Sequence, residues 1–198
     1  MGEAVVPLGK GGEILGPSIL NVDIRGEEYI EPFRKKVSEV ELYDVNGNVL
    51  ANQYTLPKLM WLKEKDRELY DRTERFLLWG SFVSHKLGGE ACVDYSLANR
   101  TLLFDLHSEE WSPSMLSAGG IEREKLPRPV PAGTRIGTVS AAMAEELGLP
   151  KKTAIVMGAH DQCANSVGAG SVEAGMAMYG MGTFPAITPV YSARPETS

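Results

Sequence analysis

The period of the apolar positions changes several times along this chain, and each change predicts an element. Ala4–Leu8, a turn at GKGG (9–12) and Glu13–Leu15 form the pattern of a short hairpin. A further apolar segment, Ser18–Val22, leads into Asp23-Ile24-Arg25. Tyr29, Phe33, Val37 and Val40 then recur at helical spacing, with Pro32 interrupting or restarting the helix. In the charged stretch 56–75, Leu59, Met60, Lys63 and Arg67 are spaced as on a helix. Arg75–Trp79 reads as a strand and 81–87 as a helix closed by Gly88-Gly89. Thr101–Leu106 reads as a strand and 112–118 as a short helix. PRPVPAG (127–133) reads as a linker-like loop that cannot be helical.

The clearest local signal is SAAMAEELGLP (140–150), with Ser140 as N-cap, Gly148 just past the helix and Pro150 barring continuation. An apolar strand follows at Thr153–Met157, so helix and strand together make an α/β pattern. A helix is expected over about 161–169. After Gly170 the glycine-punctuated GMAMYGMGTFPAITPV predicts a second hairpin.

Composition narrows the class without naming a function. The 198 residues are 43% hydrophobic and 23% charged, ordinary for a soluble protein with a proper core. The net charge of −6, with both signs interspersed, argues against a nucleic-acid partner. Two cysteines, Cys92 and Cys163, make no disulfide framework and suit a reducing cytosol. No signal-peptide pattern opens the sequence and no apolar run has bilayer length, so the expectation is cytoplasmic, with no membrane partner.

Three clusters carry candidate chemistry. Asp161 stands among small residues where a strand ends and a helix begins. It reads either as an N-cap or as a carboxylate at the ligand crevice, able to accept a hydroxyl proton as the oxygen attacks phosphorus. Gly180-Met181-Gly182-Thr183 reads either as a β-turn or as backbone that lets a phosphate approach. Asn21-Val22-Asp23-Ile24-Arg25 reads either as a surface turn with an exposed ion pair or as a polar cluster suited to a polyol. No P-loop, GxGxxG or GxSxG is present, and the dispersed His85, His107 and His160 give no metal set.

Taken together and in order, these pieces resemble the FGGY family of carbohydrate kinases. VVPLGKGGEILGPSILNVDIRG looks like the family's hairpin and W-x-D-x-R stretch. PKLMWLKEKDRELYDRTERFLLWGSFVSHKLGG resembles its K-x-x-W helix, strand and helix. VDYSLANRTLLFDLHSEEWSPSML is the most specific run. MGAHDQCANSVGAG corresponds to G-x-x-D-[QN], and YGMGTF to a Gly-Thr phosphate loop.

The resemblance implies an incomplete ribonuclease-H-like domain of the actin/Hsp70-like ATPase superfamily. Residues 1–170 would be a sugar-binding N-terminal domain and 171–198 the start of an ATP-binding C-terminal domain. It implies ATP-dependent phosphorylation of a sugar or polyol with Mg2+. Asp161 would be the general base and Gln162 a substrate contact, with Gly182 and Thr183 on ATP phosphates. Asn21, Asp23, Arg25 and Gln53 would face the substrate. Asn21 stands where a tryptophan is common, and Gln53 where glycerol kinases carry a tyrosine, which argues for a larger polyol or sugar than glycerol. The family's D-x-G-T-x-x-x-R hairpin and its adenosine-binding glycine-rich part are not found in this sequence, so the isolated chain is expected to be inactive. A catalytically dead sugar-binding half-protein and an actin/Hsp70-like ATPase stand as alternatives, and a homodimer is the assembly allowed for.

Overall fold

A computed structural model describes residues 2–182, 185–193 and 195. Strand β1 (Val5–Leu8) is buried along its whole length. The expected return arm shrinks to one bridge, Leu8 to Ile14, with the Leu15 N–H donating to the Pro7 carbonyl at 3.0 Å. The segment 18–22 is not a strand. The Asp23 N–H closes a turn onto the Leu20 carbonyl (3.1 Å), and Val22 and Ile24 are three-quarters exposed (75% and 76%). Of its apolar residues Ile19 is buried, while Leu20 and Val22 face solvent.

The Tyr29–Val40 periodicity resolves into two helices. In α1 (Ile30–Arg34) Pro32 occupies the first turn, where no N–H is needed. Helix α2 (Glu39–Asn46) starts afresh on the Ser38 hydroxyl, which accepts the Glu41 N–H, and ends at Gly47. Phe33 and Val37 are buried, whereas Val40 is exposed. The next stretch also divides, into α3 (Thr55–Lys65) and α4 (Arg67–Arg72), because the Asp66 carboxylate caps the second helix through the Leu69 N–H.

Strand β2 (Arg75–Leu78) is the antiparallel partner of β1, in register from Val5 opposite Leu78 to Leu8 opposite Arg75. It runs directly into α5 (Trp79–Lys86). Strand β3 (Cys92–Asp94) delivers Asp94, whose carboxylate caps α6 (Tyr95–Asn99) by accepting the Leu97 N–H at 3.1 Å. Only two residues of TLLFDL form a strand: β4 (Phe104–Asp105) pairs with β5 (Glu110–Trp111), and Leu102 just before it has φ 66°. Helix α7 (Pro113–Gly119) follows, capped by Ser112.

The proline-rich 127–133 segment contains β6 (Arg128–Val130), parallel to β3 with Val93 opposite Pro129. Its prolines exclude a helix but not an edge strand. Helix α8 (Ala141–Leu147) has the expected ends: Ser140 accepts the Met143 N–H (3.3 Å) and Gly148 takes φ 66°. It connects β7 (Arg135–Thr138) to its antiparallel neighbour β8 (Ala154–Val156), in which Ile155 is buried and Ala154 and Val156 are exposed. Helix α9 (Asp161–Gly168) and the antiparallel hairpin of β9 (Ala177–Gly180) and β10 (Ala186–Pro189) complete a mixed α/β protein.

The main core gathers Phe33, Leu56, Leu59, Tyr70, Phe104 and Met115. At about 25 cal/mol per Å² of apolar surface removed from water, such burial fixes α3 and the turns packed on it. A second cluster under β7, β8 and α8 includes Val130, Ile136, Ala144 and Ile155.

Candidate functional site

Two polar regions flank the segment from Asn52 to Arg100. The first is the turn before Gly26. The Asp23 carboxylate accepts from the Arg25 backbone N–H (2.8 Å) and from the Arg25 guanidinium, with Nη2 at 2.6 Å from Oδ2. Those bonds hold the Asp23 carboxyl down to about 2. The Arg25 guanidinium also lies over the Trp61 ring, 5.1 Å from its centroid. From below, Lys58 on α3 donates to the Asp23 carbonyl (2.5 Å), the Arg25 carbonyl (2.7 Å) and Asn52 Oδ1 (2.9 Å). Lys58 is 1% exposed, and burial pushes its ammonium down to about 8. Gly26 has φ 95°, and a Cβ there would meet the Pro57 carbonyl oxygen at 2.4 Å, so only glycine lets the turn rest on α3.

The second region is the start of α9. His160, not Asp161, occupies the N-cap, and its N–H donates to the Ser96 hydroxyl at 2.8 Å. Ser96 in turn donates to the buried Asp94 carboxylate. The His160 ring rests on Gly2, where a Cβ would meet Cδ2 at 2.8 Å. Asp161 is the first helical residue. Its side chain is 76% exposed, accepts the Gln162 N–H at 2.8 Å and stands 3.2 Å from His160 Nδ1. Gln162 turns the other way: its Oε1 is buried without a partner, 3.3 Å from where a Gly180 Cβ would lie. Asp94 Oδ2 is likewise buried without a partner. Burial pushes the thiol of neighbouring Cys163 up, which makes it a poor nucleophile.

A cavity of about 570 Å³ opens here, lined by Ser96, Asn99, Arg100, His160, Gln162 and Cys163, with β10 as its far wall. Arg100 joins the two regions. Its guanidinium binds the carboxylate of Glu3, a residue only 6% exposed, and lies 4.7 Å from the Tyr54 ring, next in sequence to Gln53. A larger cavity of about 970 Å³, near Gly9, Asp71, Arg75 and Lys125, contains none of the residues expected to act.

The structure thus brings Asp23 together with Arg25, and sets exposed Gln53 beside Asn52 of the same cluster. Asn21 is half-buried in the approach to the turn. Asp161 and Gln162 belong to the other region, at the start of α9. Gly182 is exposed in the connection between β9 and β10, and Thr183 lies outside the described residues. Residues not anticipated are Lys58, Asn52, Ser96, Arg100 and Glu3. Three had a trace in sequence: Lys58 is the lysine of the K-x-x-W pattern, and Ser96 and Arg100 fall in DYSLANRT. Among the described residues no group of three or more His, Cys, Asp or Glu side chains could hold a metal ion. Nor is any described helix long and apolar enough to cross a membrane.

Residues 1–168 match the model of the FGGY family of carbohydrate kinases, N-terminal domain, and the chain belongs to that family. It is 33% identical over 189 residues to the L-fuculokinase of Escherichia coli strain K12, covering 96% of this chain and 40% of that protein. It is 32% identical over 187 residues to the autoinducer-2 kinase of Klebsiella pneumoniae, covering 93% and 35%. The xylulose kinase structure from Rhodospirillum rubrum superposes with a TM-score of 0.91 at 24% identity, over 98% of this chain and 40% of that one. The chain thus spans about two fifths of the curated L-fuculokinase it matches.

Proposed function

We infer that this chain is the sugar-binding part of an enzyme that phosphorylates a sugar or polyol hydroxyl with ATP. The observation that carries the reading is the state of Asp161. Its carboxylate is exposed at the start of α9, and its partners are the adjacent Gln162 N–H and the His160 ring rather than an arginine or lysine; His160 and Gln162, its two neighbours in sequence, line the cavity. A general base needs a carboxylate of that kind, and Asp23, bound four times by Arg25, lacks it.

In the reaction, Asp161 accepts the proton of the substrate hydroxyl. The oxygen then bonds to the γ-phosphorus as the bond from that phosphorus to the β–γ bridging oxygen breaks, and ADP leaves. Gln162 Oε1 and Arg100 offer an acceptor and a cation to the sugar inside the cavity, while Asn21, Asp23, Arg25 and Gln53 form its outer, substrate-selecting side. Gly182 and Thr183 would lie against the ATP phosphates. The described residues do not make a cradle for Mg2+, so the ion would arrive on the nucleotide.

The finer fold reading is a ribonuclease-H-like domain of the actin/Hsp70-like superfamily, over 1–170, with 171–198 opening an ATP-binding domain. The kinase names of the relatives support a sugar or polyol substrate, and the amides at Asn21 and Gln53 support one larger than glycerol. The 198-residue chain alone should not turn over, because phosphoryl transfer needs positioned phosphate and metal contacts that it does not supply. The test has two arms: a panel of ketoses and polyols titrated into the chain, and phosphorylation by the complete protein with ATP and Mg2+. Binding of a ketose by the chain and its phosphorylation by the complete protein are expected. Turnover by the chain alone, or a complete protein inert toward the whole panel, would overturn the reading.

A further inference from the structure

Lys58 is a buried cation whose ammonium donates to three neutral oxygens. Two belong to backbone of the 23–25 turn and the third to the side chain of Asn52, next to Gln53. Asn52 Nδ2 donates to the same Asp23 carbonyl at 3.1 Å, so that oxygen is gripped twice. The three N–H bonds of one ammonium are all used, each on a segment carrying a residue read above as substrate-facing. Every other contact of the turn with α3 is packing: Gly26 on Pro57, and Arg25 over Trp61.

We propose that Lys58 is the positioning residue of this site: its ammonium holds the 23–25 turn and Asn52 in the one arrangement that presents Asp23, Arg25 and Gln53 to substrate, and loss of its proton releases them. The part concerning substrate rests on the function proposed above; the clamp itself does not. A neutral amine has two N–H bonds and a lone pair for three oxygens, so one carbonyl would face a lone pair. Burial is the largest influence on this proton. Asp23 in the turn and Glu27 and Glu28 in the following 3₁₀ turn favour the charged form, while Arg25 opposes it.

A lysine that merely stabilised the fold would behave differently. Its folded pKa, about 8, lies below the ordinary 10.5, so the unfolded chain holds more protons between those values. Lys58 therefore makes global stability rise as pH goes from about 8 to 10.5, while the turn should loosen on crossing pH 8. The two responses have opposite signs.

The experiment uses the chain labelled with ¹³C, following the carbonyl shifts of Asp23 and Arg25 from pH 6.5 to 9.5. The Trp61 indole is read alongside, and the Trp111 indole, which donates to the Pro127 carbonyl at 2.7 Å, serves as internal reference. Both carbonyls and Trp61 are expected to move together with a midpoint near pH 8, Trp111 to stay still, and urea stability not to fall. In Lys58→Met the carbonyls should sit at their high-pH positions at every pH. Carbonyls that stay flat to pH 9.5, or keep their low-pH positions in Lys58→Met, would overturn the proposal. If Lys58→Met does not fold, the titration of the unaltered chain decides alone. Carbonyls that titrate but respond to no sugar would support the clamp and overturn the sugar-facing reading of the turn.

Discussion

Asp23 and Asp161 are both carboxylates at the start of a helical or turn segment, and the protein treats them in opposite ways. Asp23 is enclosed: Arg25 binds both its oxygens, Trp61 lies under the arginine, and Lys58 holds the backbone. Asp161 is left open to solvent, while the scaffold behind it is fixed, with Ser96 holding the His160 N–H and Gly2 packed against the ring. The difference teaches where reactivity can reside. A satisfied carboxylate has its lone pairs committed and serves geometry; an open one on a fixed backbone can accept a proton without moving its support.

The sharpest way to break this comparison is to neutralise each acid in the complete protein. Asp161→Asn should lower kcat by roughly a hundredfold to ten-thousandfold with the sugar KM little changed, the range for loss of a general base. Asp23→Asn should act mainly on KM, since the residue shapes the pocket and gives no proton route. Steady-state kinetics on the two variants checks both. Equal kcat losses would mean that the two carboxylates do not divide the work in this way.

How much of this was legible beforehand depended on whether the cause was local. Ser140 and Gly148 announced the ends of α8 because a cap is decided within one turn of chain. The β6 strand did not show, because what makes PRPVPAG extended is pairing with Cys92–Asp94 far upstream. Residues 18–22 read as an apolar segment through Ile19, Leu20 and Val22, yet only Ile19 of these is buried. In the site, Asp161 was visible through its glycine-and-alanine surroundings and its family pattern. Lys58 showed only as the lysine of the K-x-x-W pattern: two of its three partners are backbone carbonyls, which no residue identity encodes. Arg100 and Glu3 stand 97 residues apart, so their pairing needed the fold.

A smaller effect tests why the enclosed region is rigid. Gly26→Ala places a methyl 2.4 Å from the Pro57 carbonyl at φ 95°, so the turn must lift from α3. The expected cost is about 2 kcal/mol, in the range for strain at a left-handed position combined with a backbone clash. Urea unfolding would measure it, and the Trp61 signal should change while that of Trp111 does not. A change under about 0.5 kcal/mol would mean the turn is not pressed against α3.

The smallest expected effect tests the Asp23–Arg25 pair by acid alone. Asp23 has its folded pKa lowered from 3.8 to about 2, first by the Arg25 guanidinium and then by the Arg25 N–H. Its contribution to stability is therefore present above pH 3.8 and is lost as pH falls through about 2. The side chains of Arg25 and Asp23 are 40% and 26% exposed, so solvent screening keeps that contribution below about 1 kcal/mol. Glu122 and Asp105 also have lowered carboxyl pKa values, burial being outweighed by their hydrogen bonds, and their contributions cancel when the unaltered chain is compared with Asp23→Asn. The difference in unfolding free energy should be constant from pH 7 to about 4 and shrink toward zero near pH 2.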